Sequence, residues 1–111
     1  MPRESLGDVE HFILVALLHL GGESYVVPVI KEIEQRTGRE VARPAVYIAL
    51  KRLAAKGLVT SRVGDPTPVR GGRAKRFFKL TSAGRHQVRE AHTAFVRMWA
   101  GAERLADRSA R

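Results

Sequence analysis

The feature that most constrains the fold is a basic amphipathic segment followed by a glycine-rich basic run. Residues 43–53 read RPAVYIALKRL. At about 100° per residue, their apolar side chains gather on one face, which predicts a helix with a buried side and a basic outer side. The run RGGRAKR follows at residues 70–76. Such a helix beside a basic hairpin is typical of a winged helix-turn-helix, which uses the helix for the DNA major groove and the wing for flanking backbone.

Positive charge is concentrated in the same part of the chain. Residues 43–89 contain 12 Lys or Arg side chains and the single acid Asp65, whereas residues 1–42 contain four basic and seven acidic side chains. The net charge of +9 therefore comes almost entirely from one segment. A localised positive field suits a polyanion, so we expect double-stranded DNA as the partner.

Length and composition exclude several classes of protein. A chain of 111 residues is expected to form one compact unit, and it has no cysteine for disulfides, thiolate metal sites or a cysteine nucleophile. The longest apolar run, residues 12–18, is far shorter than the roughly 20 residues of a membrane span. The acidic N-terminal segment does not resemble a secretory signal. We therefore expect a cytoplasmic protein with no membrane partner.

The pattern along the chain predicts a mostly α fold with a small β-hairpin. Helices are expected over residues 8–20, 25–36, about 43–56 and about 81–106, and strands over residues 58–63 and 75–80. Pro44 marks the first turn of the third helix, and Thr81 is a good N-cap for the last. The third helix begins at Ala42 or Arg43, where no side chain of the usual capping type is present.

The candidate DNA-binding residues are the exposed positions of the third helix and the basic run. Arg and Lys bond guanine edges or phosphates, a Tyr hydroxyl reaches phosphates, and an exposed Ile contacts thymine methyl groups. Glycines let the backbone approach a phosphate closely. The set consists of Arg43, Tyr47, Ile48, Lys51, Arg52, Arg70, Gly71, Gly72, Arg73, Lys75 and Arg76.

The last predicted helix carries an apolar stripe with heptad spacing. Its members are Val88, Ala91, Phe95, Met98, Ala102 and Leu105. A helix of about 25 residues spans about 37 Å, longer than a domain of this size covers. Part of it is expected to pack on the first helix, and the rest to form a homodimer interface. Residues 1–80 would then be the winged helix-turn-helix DNA-binding domain, and residues 81–111 the C-terminal dimerisation helix.

Trp99, the only tryptophan, flanks this stripe beside Phe95 and Val96. A large aromatic side chain next to a two-fold axis leaves room for an apolar slot, so these three residues are candidates for a pocket that binds a small aromatic effector. The alternative is that Trp99 is a well-packed interface residue without any ligand.

Enzymatic and metal-binding functions find no support in the sequence. It contains no nucleophile elbow, phosphate loop or dinucleotide fingerprint. The four histidines are eight residues apart in the first helix and six apart in the last, so neither pair shares a helix face. We expect no metal and no cofactor. Two other functions remain open, an RNA-binding module and a basic module that binds an acidic protein.

The order of motifs resembles the PadR family of bacterial transcriptional regulators. The similar stretches are EHFILVALL, Tyr25, TGREV, AVYIALKRLAAKGLV and RGGRAKRFFKLTSAG, over residues 5 to about 100. The resemblance implies a winged helix-turn-helix with a single long C-terminal dimerisation helix, as in short members of the family. It also implies a repressor, and some short members respond to aromatic or drug-like compounds. The sequence departs from the pattern at Ala42, where relatives commonly carry a serine or a similar cap.

Overall fold

The computed structural model describes residues 6–64 and 74–109, which form helices and one small sheet. In chain order the elements are α1 (Asp8–His19), β1 (Glu23–Ser24), α2 (Val26–Thr37), α3 (Arg43–Ala55), β2 (Val59–Val63), β3 (Arg76–Leu80), α4 (Ser82–Trp99) and α5 (Glu103–Ser109). The expectation of a mostly α fold with a small hairpin is confirmed. None of the helices in these residues is both long and apolar enough to cross a membrane.

The core lies around α1, which packs against α2, α3, α4 and the sheet. Ile13, Leu14 and Leu17 of α1 are fully buried. The remaining buried apolar side chains come from every neighbouring element: Ala16, Val26, Val29, Ile33, Val46, Ala49, Leu50, Leu53, Leu58, Val59, Phe78, Leu80 and Val88. Because α1 contacts both α3 and α4, it is the element that connects the two helices predicted to carry function.

The sheet has three antiparallel strands in the order β1-β3-β2. The hairpin of β2 and β3 was predicted, and each of its strands starts one residue later than expected. β1 was missed because two residues are too few to show the alternation that indicates a strand. Its register places Glu23 opposite Lys79 and Ser24 opposite Phe78, which ties the start of α2 to the hairpin.

Local hydrogen bonds fix the turn between α2 and α3. Gly38 takes the left-handed conformation at the end of α2, with φ of 72°. The Thr37 hydroxyl accepts the Arg39 N–H at 3.1 Å and donates to the Ile33 carbonyl at 2.7 Å. The Glu34 carboxylate accepts the Val41 N–H at 3.3 Å. These bonds set the angle at which α3 leaves the turn.

A largely buried ion pair joins α1 to the end of α3. Lys56 Nζ lies 3.1 and 3.3 Å from the two carboxylate oxygens of Glu10. The same carboxylate accepts the Gly7 N–H at 2.9 Å, so Glu10 also caps the start of α1. Because the two partners lie 46 positions apart, no local pattern in the sequence indicates this contact.

The C-terminal helix is not continuous, so the prediction of one helix over residues 81–106 is wrong. α4 ends at Trp99, Ala100 leaves the helical conformation, and Gly101 has φ of +83°. Glycine adopts this left-handed conformation without steric cost, and it ends helices for that reason. α5 then starts at Glu103. The predicted apolar stripe therefore divides between two helices, and both its role in dimerisation and the domain boundary at residue 80 stay predictions.

Candidate nucleic-acid interface

Burial of one side of α3 determines which side chains the helix presents outward. Val46, Leu50 and Leu53 have no exposed surface. The five predicted DNA-contacting residues of this helix lie on one flank and on the outer side, and all are exposed: Arg43, Tyr47, Ile48, Lys51 and Arg52. Tyr47 is 45% exposed and Ile48 is 53% exposed, so both side chains are accessible to a partner. Pro44 lies in the first turn, and the N-cap residue Ala42 makes no side-chain capping bond, as the sequence predicted.

A cleft of about 850 Å³ is lined by residues of α3, of the hairpin and of the start of α2. Its lining residues are Tyr25, Val26, Val27, Tyr47, Leu50, Lys51, Ala54, Ser61, Ala74, Lys75, Arg76 and Phe78. The fold thus brings together four of the predicted DNA-binding residues from separate parts of the sequence. Tyr47 and Lys51 come from α3. Arg76 is the first residue of β3, and Lys75 is the residue before it. A groove with cationic side chains on two walls suits the negatively charged phosphate backbone of a nucleic acid.

The other predicted contacts lie elsewhere. Arg43, Ile48 and Arg52 are exposed on α3 but do not line the cleft. Arg70, Gly71, Gly72 and Arg73 lie outside the described residues.

Two polar contacts organise the hairpin. Arg76 Nη1 donates to the Ser61 hydroxyl at 3.2 Å, which joins β3 to β2 beside the cleft. Arg62 forms hydrogen bonds of 2.9 and 3.1 Å to the Glu23 carboxylate. Hydrogen bonding from Arg62 is the largest cause of the lowered pKa of Glu23. The carboxylate therefore stays ionised and offsets the positive charge of Arg62.

Three residues at the start of α2 also line the cleft, and the sequence did not indicate them. Tyr25, Val26 and Val27 follow β1, and the pairing of β1 with β3 carries them to the cleft. In the sequence they appear only as the beginning of a helix. Their position depends on a strand of two residues that no periodicity reveals.

The histidines gather in a way that their spacing does not suggest. His11 and His19 of α1 and His92 of α4 line a cavity of about 260 Å³ beside α2. Burial lowers the pKa of His11, and so does the neighbouring His92. Within the described ranges, no group of three or more His, Cys, Asp or Glu side chains is arranged to hold a metal ion.

The surroundings of Trp99 differ in part from those expected. Trp99 borders a hollow of about 350 Å³ together with Met98, Ala102, Leu105 and Ala106. Phe95 and Val96 are 67% and 53% exposed and do not line it. The effector pocket stays a prediction.

Comparison with protein families gives a match over most of the described chain. The family model described as the transcriptional regulator PadR-like family matches residues 13–90. No curated protein matches the sequence well enough to be named as a relative.

Several solved structures share the fold. A PadR family transcription regulator from Clostridium difficile is 19% identical, with a TM-score of 0.69 over 95% of this chain and 100% of that chain. BpsR of Bordetella bronchiseptica, whose DNA binding is regulated by 6-hydroxynicotinic acid, is 26% identical, with a TM-score of 0.64 over 96% of this chain and 76% of that one. Bacillus subtilis PadR in complex with operator DNA is 20% identical, with a TM-score of 0.61 over 74% of this chain and 45% of that one.

Proposed function

Because the chain belongs to the PadR-like family of transcriptional regulators, we propose that it is a repressor that binds a palindromic promoter site as a homodimer. The family and fold are those of DNA-binding regulators rather than enzymes. The observation that carries the proposal is the cleft between α3 and β3. It joins Tyr47 and Lys51 to Lys75 and Arg76, which are far apart in the sequence.

In the proposed complex, α3 enters the major groove. Its outer side offers Arg43, Lys51 and Arg52 to guanine edges and phosphates, Tyr47 to a phosphate and Ile48 to a thymine methyl group. The structure supports this orientation because the apolar side of α3 is fixed in the core. An RNA duplex is a poorer partner, since its deep, narrow major groove does not admit a helix.

The hairpin would hold the DNA backbone beside the major-groove site. Lys75 and Arg76 belong to the described part of the hairpin, and the run Arg70-Gly71-Gly72-Arg73 would continue the contact along the flanking phosphates or into the minor groove. The operator complex of the Bacillus subtilis neighbour supports DNA as the partner of this fold.

Repression would follow from two-fold occupation of a promoter. Phe95, Met98 and Leu105 are 67%, 84% and 61% exposed in the single chain, which leaves an apolar surface for a second copy. A two-fold dimer presents two copies of α3 to successive turns of a duplex, and such a complex excludes polymerase from the site.

The salt dependence of DNA binding tests the proposal. Each phosphate contact contributes a slope of about −0.9 to log affinity against log salt concentration. Arg76→Ala should reduce the slope by about one contact per protomer, whereas Lys51→Ala should relax the preference at particular bases. Lys31→Ala, on the exposed surface of α2, should change neither. Genome-wide mapping of bound sites would supply the operator. A salt-independent affinity, or tighter binding to structured RNA or to an acidic protein than to duplex DNA, would contradict the proposal.

The hollow at Trp99 is the place where we would seek a small aromatic effector, together with Phe95 and Val96. An apolar hollow next to the proposed dimer surface supports this idea, and so does the regulation of BpsR by 6-hydroxynicotinic acid. A panel of planar aromatic compounds should include one that quenches the single tryptophan and changes DNA affinity. If none does, and Trp99→Ala only weakens the dimer, Trp99 is an interface residue without a ligand.

A further inference from the structure

Tyr25 lies where the small sheet meets the helix-turn-helix. It is the residue between β1 and α2, and its φ of −95° and ψ of 179° continue the extended path of β1. Ser24 is paired with Phe78 in an antiparallel ladder. Since the two strands run in opposite directions, the chain beyond Ser24 heads toward the beginning of β3, where Phe77 and Lys75 lie.

The Tyr25 ring contacts both a cation and a second ring. Lys75 Nζ lies 4.2 Å from the centroid of the Tyr25 ring. Phe77 meets that ring at 5.7 Å with an angle of 68° between the planes. The Arg62 guanidinium lies 4.7 Å from the Phe77 centroid and is bonded to Glu23. The two rings therefore contact each other and have one cation at each end of the series, from the start of α2 across β3 to β2.

An exposed lysine near DNA gains from such a contact. Its ammonium group lies at the end of a flexible four-carbon chain, and it loses rotational freedom when it pairs with a phosphate. Lys75 is exposed and lines the β3 side of the cleft. A ring that holds its ammonium group near the final position reduces the entropy lost on binding.

We propose that Tyr25 is a positioning residue for DNA binding, and that its ring holds the Lys75 ammonium group at the cleft between α3 and β3 before the duplex arrives. The inference rests on the proposed DNA binding and adds to it a residue that need not touch DNA. A cation–π contact at an exposed site corresponds to about a two- to five-fold change in an equilibrium constant. Loss of the ring should weaken DNA binding by that factor per protomer.

A double-mutant cycle tests the proposal on the full chain. The variants are Tyr25→Phe, Tyr25→Leu, Lys75→Ala and Tyr25→Leu with Lys75→Ala. Lys31→Ala on α2 is the matched loss of a lysine away from the cleft. Fluorescence anisotropy on one mixed-sequence duplex is read over a series of salt concentrations. Tyr25→Phe and Lys31→Ala should bind as the parent does. Tyr25→Leu should lose about two- to five-fold per protomer, with no further loss when Lys75 is already alanine.

A second measurement observes the contact without DNA. The side-chain protons of Lys75 should show upfield ring-current shifts in the parent and in Tyr25→Phe, and these shifts should disappear in Tyr25→Leu. If the parent shows the shifts but binds no duplex, the proposed function fails while the Lys75–Tyr25 contact stands.

Additive losses in the cycle would overturn the positioning role, and so would a Tyr25→Phe variant that binds as weakly as Tyr25→Leu. If Tyr25→Leu does not fold, the proposal still requires the upfield shifts, parental binding by Tyr25→Phe and weaker binding by Lys75→Ala. Failure of any of these three would overturn it.

Discussion

At the scale of single residues, the fold opposes protonation of His11. It lies on α1 at the cavity that it shares with His92 of α4. Burial is the largest cause of its lowered pKa, followed by the charge of His92, and Asp8 acts in the opposite direction. The other charged or titratable groups that line this cavity are His19, Glu32 and Arg36. Protonation of His11 therefore creates a partly buried positive charge beside His92 where α1 meets α4.

The sign of the pH effect follows from this lowered pKa. The folded chain favours neutral His11, so its contribution to stability is complete above the ordinary histidine pKa of about 6.5 and is lost as the pH falls below that value. The melting temperature of the parent should fall between pH 7 and pH 5, and His11→Gln should show a smaller fall. Equal pH profiles for the parent and His11→Gln would contradict the assignment.

At the scale of elements, the junction between β3 and α4 connects the helix proposed to form the dimer, α4, to the elements proposed to bind DNA, α3 and the hairpin. The Thr81 hydroxyl accepts the Gly84 N–H at 3.0 Å and donates to the Gly57 carbonyl at 2.8 Å. The Thr81 N–H donates to the Leu58 carbonyl at 3.1 Å. One residue thus joins the end of α3, the approach to β2 and the first turn of α4. The close approach requires glycine at position 84, where a Cβ would collide with the Leu58 carbonyl oxygen.

Gly84→Ala should therefore destabilise the protein, although alanine is the better helix former by about 1 kcal/mol. The added methyl group would also lie 2.9 Å from a Leu80 methyl carbon. Overpacking of this kind typically costs about 1–3 kcal/mol, and the clash with backbone places this site toward the upper end. Urea denaturation measures the free energy of unfolding, and Ser82→Ala, an exposed neighbour in the same turn, serves as the control. A Gly84→Ala variant at least as stable as the parent would show that α4 moves away from Leu58 without cost.

At the scale of the whole molecule, the structure is more elongated than a compact domain with the same number of residues. Its radius of gyration is 16.4 Å and its principal extents are 56, 36 and 22 Å, whereas a compact domain of this length has a radius of gyration of about 13 Å. From Phe95 to Trp99 every residue of α4 is exposed. Four large apolar side chains are exposed there: Phe95, Val96, Met98 and Trp99. An elongated monomer with an apolar end is suited to pair with a second copy.

Phe95→Glu should convert the proposed dimer to monomers. In the single chain Phe95 is 67% exposed, so a carboxylate there costs little until a partner covers it. An unpaired charge in a closed interface costs several kcal/mol. Sedimentation should show the change in mass, and DNA affinity should fall with it. Thr93→Glu, on the opposite side of α4 from the apolar stripe, should remain dimeric. A monomeric parent, or a dimeric Phe95→Glu variant, would refute the assignment of α4 to the interface.

The sequence by itself predicted the elements whose signal is local. The buried side of α3 follows from its helical period, because Val46, Leu50 and Leu53 repeat at intervals of three and four residues. The hairpin follows from alternation, and the N-cap role of Thr81 follows from its side chain, which bonds to Gly84 in the structure. Clustered charge and motif order also led to the regulator family, since both can be read along the chain.

The tertiary structure decided everything that depends on residues far apart in the sequence. Tyr25 reaches Lys75 only because a two-residue strand pairs with β3, and His11 reaches His92 only because α1 packs on α4. The end of α4 was decided by backbone conformation: Gly101 is a tolerated residue in a helical pattern, yet here it takes the left-handed conformation that stops the helix. Helical period and strand alternation describe neighbours within one element, whereas packing among elements chooses which distant side chains meet.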